Sequence, residues 1–226
     1  MIYASFATVT KIDTILKTKK IYLIRHGQTD FNLKGIVQGR GVDSSLNRLG
    51  RQQADDFYQK YHKVSFDKIY ISSLRRTRET IQSFIDLGID YRSLDGLAEI
   101  HWGSKEGKPF DEKDHMEYQE VTNQWSLGNT AIGVDGGESP EQVLTRQQEA
   151  LDHIMSNQQE ETILICMHGR AMRIFMCLLL QYPLKYMHLF PHYNTGLYQL
   201  THNGLYFRLD KANCVDHLQL NGTIQS

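Results

Sequence analysis

Ile21-Tyr22-Leu23-Ile24-Arg25-His26-Gly27-Gln28-Thr29 is the stretch that decides the fold. Its four leading apolar residues read as a buried strand. The strand ends in a cation, an imidazole and a glycine. In an open α/β sheet, ligands bind at the carboxyl ends of strands. Glycine lets the chain turn sharply and lets a ligand approach the backbone. The combination suits a phosphoryl group. The pattern recurs at Thr162 to Met167, an apolar run followed by His168-Gly169-Arg170. Two strand-end His-Gly units can bring two imidazoles to one edge of one sheet.

Further strands are expected at Lys68 to Ile71, Tyr91 to Leu94, Thr195 to Leu200 and Leu205 to Leu209, the first strand running from Lys20 to Ile24. Asn203-Gly204 reads as a two-residue hairpin turn between the last pair. Helical patterns alternate with these strands, which argues for an α/β domain. One helix is expected over Leu46 to Tyr61, its start weakened by Gly50. Another over Leu74 to Leu87 sets Leu74, Thr77, Ile81, Phe84 and Ile85 on one face. Ser139-Pro140-Glu141-Gln142 has a capping residue, proline at the first helical position and a capping-box Gln, and predicts a helix to about Ser156. Arg170 to Leu180 is apolar enough to pack on the sheet. The stretch 103–137 is mixed, with a helical middle from Glu112 to Trp125, and reads as a substrate-facing insertion.

Composition narrows the function. The chain has 226 residues, 40% hydrophobic and 23% charged, enough for one domain. A net charge of -1 gives no electrostatic case for nucleic acid or an anionic membrane. No apolar run approaches the roughly 20 residues that span a bilayer. Residues 1–19 read as a short extension rather than a signal peptide. Cys166, Cys177 and Cys214 form no Cys-x-x-Cys pair and read as buried free thiols of a reducing, cytoplasmic compartment. Asn221-Gly222-Thr223 is a glycosylation sequon without a secretory context.

Two more strand ends carry chemistry. Ser72-Ser73-Leu74-Arg75-Arg76-Thr77-Arg78 closes one strand and opens a helix. A helix N-terminus favours an anion, and arginine is a charged fork matched to phosphate oxygens. Leu97-Ala98-Glu99-Ile100 offers a carboxyl at another.

Taken together these blocks resemble the histidine phosphatase superfamily, its phosphoglycerate-mutase-like group. Arg25-His26-Gly27-Gln28-Thr29 with Asn32 is similar to its Arg-His-Gly-x-Thr-x-x-Asn signature. Gln38-Gly39-Arg40, Leu46-Asn47-Arg48-Leu49-Gly50 and Gln53-Ala54 resemble the next block. Ser72-x-Leu74-x-Arg76 with Thr80, Leu97-x-Glu99 with Gly103 and Glu106-Gly107, Gly137-Glu138-Ser139, and His168-Gly169 follow in order. The chain departs from the commonest pattern in Gln28, where Glu is usual, and in Lys105, where tryptophan is frequent.

The resemblance implies a three-layer α/β domain over 20–226, with a mostly parallel sheet between helices. It implies a phosphomonoester hydrolase working through a phosphohistidine, without metal or cofactor, on a small phosphorylated metabolite. His26 would be the nucleophile. Arg25, Arg76, His168, Asn32, Gln38 and backbone at Gly169 would hold the phosphoryl group. Glu99 would move protons. The alternatives are a cofactor-dependent mutase and a catalytically idle binding member. The interval from Glu99 to His168 lacks the Arg pair of the mutases. Among remaining charges, His101, Trp102, Lys105, Lys108, Arg170 and Arg173 are candidates for the rim of the site. Gly103 to Lys108 resembles a phosphate loop but has one residue too few and Pro109 in place of Ser or Thr. His188 and His192 have metal-ligand spacing, interrupted by Pro191, and read as structural or surface residues. Oligomeric state is not legible.

Overall fold

The computed structural model describes residues 18–219. The expected extension over 1–19 lies almost entirely outside them, as does the Asn221 sequon. Six strands are described: β1 (Lys19–Arg25), β2 (Lys68–Ile71), β3 (Tyr91–Ser93), β4 (Thr162–Met167), β5 (Leu197–His202) and β6 (Phe207–Cys214). They form one sheet in the order β3-β2-β4-β1-β5-β6. The first four are mutually parallel, and β5 runs antiparallel to β1 and to β6.

The strand order positions the site. β4 inserts between β1 and β2, and its register sets Arg25 beside Met167 and Ile71 beside Cys166. His26, His168 and Ser72 therefore leave three neighbouring strands at one level. The ladder continues one step further, with the His26 N–H donating to the Met167 carbonyl at 3.0 Å.

Strand alternation explains the layers. Ile21, Leu23, Ile163 and Ile165 face α6 (Pro140–Ser156) and α7 (Gly169–Leu180), packing on Leu151, Ile154, Met172 and Phe175. Tyr22, Ile24, Leu164 and Cys166 face the opposite layer, with Phe57, Tyr61 and Phe84. A parallel sheet covered on both faces needs such unbroken apolar strands. Each of these side chains fully withdrawn from water contributes about 1.5–3 kcal/mol. A third cluster, around Trp102, Trp125, Val143 and Ile174, seats the 103–137 segment on α6 and α7.

The remaining helices are α1 (Asp30–Leu33), α2 (Arg48–Tyr61), α3 (Arg75–Thr80), α4 (Gln82–Asp86), α5 (Glu112–Leu127) and α8 (Asp216–Gln219). The expected caps form: Ser139 and Gln142 make a reciprocal capping box, and α6 ends at Ser156. Five expectations change. The helix over Leu74 to Leu87 is two helices that meet at Ile81. Thr80 Oγ1 donates to the Arg76 carbonyl at 2.6 Å, a back-bond that competes with the helical pattern. Helix α2 starts at Arg48, because Leu46 bridges Thr29 and Asn47 caps the helix. The hairpin turn has four residues, since His202 pairs with Phe207 and Asn203 Oδ1 accepts from the Leu205 and Tyr206 N–H groups. Thr195 has φ 55°, a turn conformation, so β5 begins only at Leu197. Of the three free thiols, Cys214 is only half-buried.

Candidate active site

His26 stands where β1 stops, 2% exposed. Its Nδ1 lies 2.7 Å from the Gly27 carbonyl, which can only accept. Nδ1 therefore carries the proton, and Nε2 keeps the lone pair. Burial, then the charges of Arg76 and Arg25, hold the ring's pKa well below the ordinary histidine value; the Gly27 bond opposes them only in part. At neutral pH the imidazole is uncharged.

The loop that carries His26 is clamped from several sides. The Gly27 N–H donates to Thr80 Oγ1, the hydroxyl at the end of α3. The Gln28 N–H donates to Gln53 Oε1, and Asn47 bonds both the carbonyl and the side chain of Gln28. Gly50 completes the clamp. A Cβ there would sit 2.0 Å from the Gln28 carbonyl oxygen, so only glycine lets α2 press on this loop. Gln28, the departure from the commoner Glu, thus spends its side chain on Asn47.

Arg76 is fully buried. Its Nε donates to His168 Nδ1 at 3.1 Å, Nη1 to the Val42 carbonyl at 2.6 Å, and Nη2 to the Gly39 carbonyl at 3.3 Å. His168 must then carry its proton on Nε2, which lies 2.6 Å from Ser72 Oγ. Both ring nitrogens of His168 are engaged in this arrangement, one by Arg76 and one by Ser72. Its ring centroid is 5.2 Å from that of His26. Burial and the Arg76 charge keep it neutral as well.

Glu99 lies 7% exposed at the N-terminus of α7. Its carboxylate accepts from the N–H groups of Arg170 (3.1 Å), Ala171 (2.7 Å) and Ile100 (2.9 Å). An acid side chain is favourable there through the free N–H groups and the helix dipole. Its loop is tied down by Arg146, whose guanidinium bonds the carbonyls of Gly96, Ala98 and Glu99 and both oxygens of Glu138. The expected Gly137-Glu138-Ser139 block therefore acts through Glu138 on the acid loop.

A pocket of about 140 Å³ is lined by Arg25, His26, Asn32, Gln38, Glu99 and Gly169, among others. Arg25 Nε is buried and unpartnered among the described residues. Asn32 Oδ1 caps the Thr29 N–H, and Gln38 bonds Thr29 Oγ1 and Ser44, so both brace the loop as well as line the pocket. A Cβ on Gly169 would stand 3.3 Å from Arg25 Nε and 3.1 Å from His192 Cε1.

Sequence reading missed His192, Asn194 and Arg146. Arg25 Nη1 donates to the His192 carbonyl at 2.9 Å and lies 3.2 Å from its Nδ1. His192 belongs to the pocket wall, not to a mere surface loop. Asn194 Nδ2 donates to the His26 carbonyl. One signal was present: a strand antiparallel to β1 must begin at the end where β1 stops. Of the rim candidates, Trp102 and Arg170 line the pocket, while Lys105 is paired with Asp114 and Glu117. Among the described residues no cluster of three or more His, Cys, Asp or Glu could hold a metal ion. No described helix is long and apolar enough to cross a membrane.

A neutral imidazole beside a buried and a half-buried arginine, at the strand ends of a three-layer α/β domain, defines a phosphoryl-transfer enzyme. The chain belongs to the histidine phosphatase superfamily, branch 1, whose profile matches residues 21–215. It is 29% identical over 157 residues to the metal-independent phosphoserine phosphatase of Arabidopsis thaliana, covering 68% of this chain and 66% of that one. It is 30% identical over 166 residues to the Erwinia tasmaniensis protein named "Probable phosphoglycerate mutase GpmB", covering 73% and 76%. The solved structure of Bacillus stearothermophilus YhfR superposes with a TM-score of 0.78 at 28% identity, over 88% of this chain and 99% of that one. The sequence-derived fold and the assignment to a phosphatase family both stand.

Proposed function

We propose that the chain, as one catalytic domain over residues 20–226, hydrolyses a small phosphomonoester through a phosphohistidine on His26. The observation that carries this is the His26 tautomer. With Nδ1 held on the Gly27 carbonyl, Nε2 is the nucleophilic nitrogen. Its lone pair attacks phosphorus while the bond to the leaving oxygen breaks. The ring becomes cationic, and the Nδ1–H bond to Gly27 stabilises that charge. Arg25, through its unpartnered Nε, and Arg76, through the two N–H groups its three bonds leave over, face the charge on the equatorial oxygens. Asn32, Gln38 and the N–H of Gly169 complete the cradle. Glu99, a carboxylate in the resting site, takes up a proton as the anionic substrate enters and gives it to the leaving oxygen, then takes one from the water that cleaves the phosphorus–nitrogen bond. His168 works through Arg76, accepting from Nε and fixing the plane of the fork.

Hydrolysis is favoured over mutase chemistry by a particular residue. Arg146 is the single arginine between Glu99 and His168. It is committed to Glu138 and the acid-loop carbonyls, so no arginine of that segment is free to hold a substrate carboxylate. Tyr118 on α5 lines the pocket, which supports a substrate-facing role for 103–137. Net charge near zero and three free thiols suit the cytoplasm.

Rapid-quench incubation with a phosphomonoester labelled on phosphorus tests the reading. The expected product is an acid-labile, alkali-stable phosphoprotein, absent from His26→Ala, with phosphate released. Labelling or full turnover in His26→Ala refutes it. Isomerisation of 3-phosphoglycerate without phosphate release would favour the mutase.

A further inference from the structure

Beside the catalytic pocket lies a second cavity, of about 310 Å³. Arg170, Arg173 and Lys185 line it, with the neutral donors Gln119, Asn123 and Ser126 from α5, and no carboxylate does. None of the ion pairs among the described residues uses any of the three cations. Arg170 and Arg173 stand three apart on α7 and so share a face. Arg170 is also part of the catalytic pocket wall. Its guanidinium is placed over the rings of Trp102 and Trp125, at 5.8 and 5.4 Å, and donates to Tyr118 Oη at 2.9 Å. Among the described residues Arg173 donates through Nε alone, to the Phe190 carbonyl, and Lys185 has the Tyr186 ring beside it. Cations walled on several sides, with no carboxylate in the lining to pair with them, make a receptor for an anion.

We infer that Arg170, Arg173 and Lys185 form a second anion subsite, and that the substrate is a phosphomonoester bearing another anionic group, a carboxylate or a phosphate. This rests on the phosphatase reading of the adjoining pocket. The distance fits a small metabolite. Gly169 lies at the phosphoryl end and Arg173 is four residues along α7, a rise of about 6 Å. Trp102 and Tyr118 wall the catalytic pocket and Trp125 the second cavity, leaving an apolar spacer between the two charges. The Arg173 guanidinium agrees in direction: burial, then the Arg170 charge, lower its pKa, against the smaller pull of Glu99.

Three synthetic phosphomonoesters of equal chain length test this, ending in a carboxylate, a phosphate or a hydroxyl. The readout is the ratio of kcat/KM for each anion-ended ester to that for the hydroxyl-ended one. The expected ratio in the unmodified protein is tenfold or more for at least one anion, and which one identifies the group. Lys185→Ala and Arg173→Gln should each lower that ratio about tenfold, in line with a lost charge-assisted contact. Salt at 0.5 M should lower it in the unmodified protein. Ratios near one, or a ratio that Lys185→Ala leaves intact, overturn the subsite. Calorimetric binding of the same esters to the His26→Ala protein reads the preference without turnover. If no ester is hydrolysed yet the anion-ended ones bind more tightly, the catalytic reading fails and the subsite stands.

Discussion

Gly50→Ala sets two physical arguments against each other. Gly50 lies in the first turn of α2 with no positive φ, where intrinsic propensity favours alanine by about 1 kcal/mol. On that ground alone the variant is more stable. The structure says the reverse. The new Cβ would meet the Gln28 carbonyl oxygen at 2.0 Å, its N at 2.7 Å and its carbonyl carbon at 2.8 Å. These are backbone atoms that cannot rotate away, and real Cβ contacts essentially never fall below 3.0 Å. The loop and the helix must part by about 1 Å. Overpacking of this kind costs typically about 1–3 kcal/mol, which cancels or outweighs the propensity gain. The loop that moves carries His26, one residue beyond Gly27. A displacement of about 1 Å in a reacting group costs on the order of 10²-fold in rate. The expected outcome is a stability loss of up to about 2 kcal/mol in urea unfolding and a fall in kcat of roughly 10²-fold at temperatures where the variant is fully folded. A variant as stable and as active as the parent refutes the reasoning.

Other perturbations probe the remaining parts. Arg76→Ala should lower kcat by roughly 10²–10³-fold; it should also cost about 2–5 kcal/mol, because His168 Nδ1 and the Val42 and Gly39 carbonyls lose their donor in the interior. A loss of activity under tenfold counts against its role. Glu99→Gln should slow esters of alkyl alcohols by about 10²–10⁴-fold and p-nitrophenyl phosphate less in its first step, with a burst of nitrophenol as phosphoenzyme accumulates; equal losses for both leaving groups, without a burst, would remove Glu99 from proton transfer. Acid should unfold the protein early. His26 and His168 have folded pKa values well below 6.5, His192 is pushed down to about 2 and His217 to about 4, burial being the largest cause in each. Below pH 6.5 the unfolded chain binds protons that the folded one refuses, so each group removes up to about 1.4 kcal/mol per pH unit until its folded pKa is reached. Unfolding free energies in urea that stay flat between pH 7.5 and 5 would contradict this.

What the sequence made legible follows from which interactions are local. The apolar runs of β1 and β4, the Ser139 cap of α6 and the strand-end His-Gly units are carried by a few adjacent residues, and each was read close to its place. Arg25 and His192 are 167 positions apart, and their contact depends on β5 lying beside β1. Arg146 acts on carbonyls 47–51 positions away. No pattern in either neighbourhood announces such pairs. The break at Ile81 escaped for a different reason. Its apolar spacing suits one continuous helix, and the interruption comes from the Thr80 hydroxyl, drawn to the Arg76 carbonyl on one side and to the Gly27 N–H on the other. Two of the family blocks changed meaning in the same way. Gln28, Asn47, Gly50 and Gln53 hold the nucleophile's loop, and Glu138 holds Arg146, so their spacing encodes a frame around the chemistry.

The same electrostatics that serve catalysis set the protein's weakness. His26 must be neutral to attack, and the site keeps it neutral by withdrawing it from water and flanking it with Arg25 and Arg76. Those arginines lie deep enough that burial lowers each to about 10, still charged at neutral pH. Glu99 is the carboxylate whose charge both of them feel, while Asp43 and Glu106 act on Arg76 alone, so Arg25 has one acidic neighbour against the cations around it. A phosphate dianion offsets those cations. It enters where Arg25 Nε lacks a partner, and its binding strengthens the clamp that the developing charge of the transition state requires. It follows that inorganic phosphate, a product of the proposed reaction, should stabilise the fold as well as inhibit it. At one hundred times its dissociation constant the gain is about 2.7 kcal/mol. The gain should fall sharply in Arg76→Ala and Arg25→Ala but persist in Lys185→Ala, whose cation faces the neighbouring cavity. Equal stabilisation of all four proteins would mean that phosphate binds elsewhere, and would disconnect the two arginines from the anion they are argued to hold.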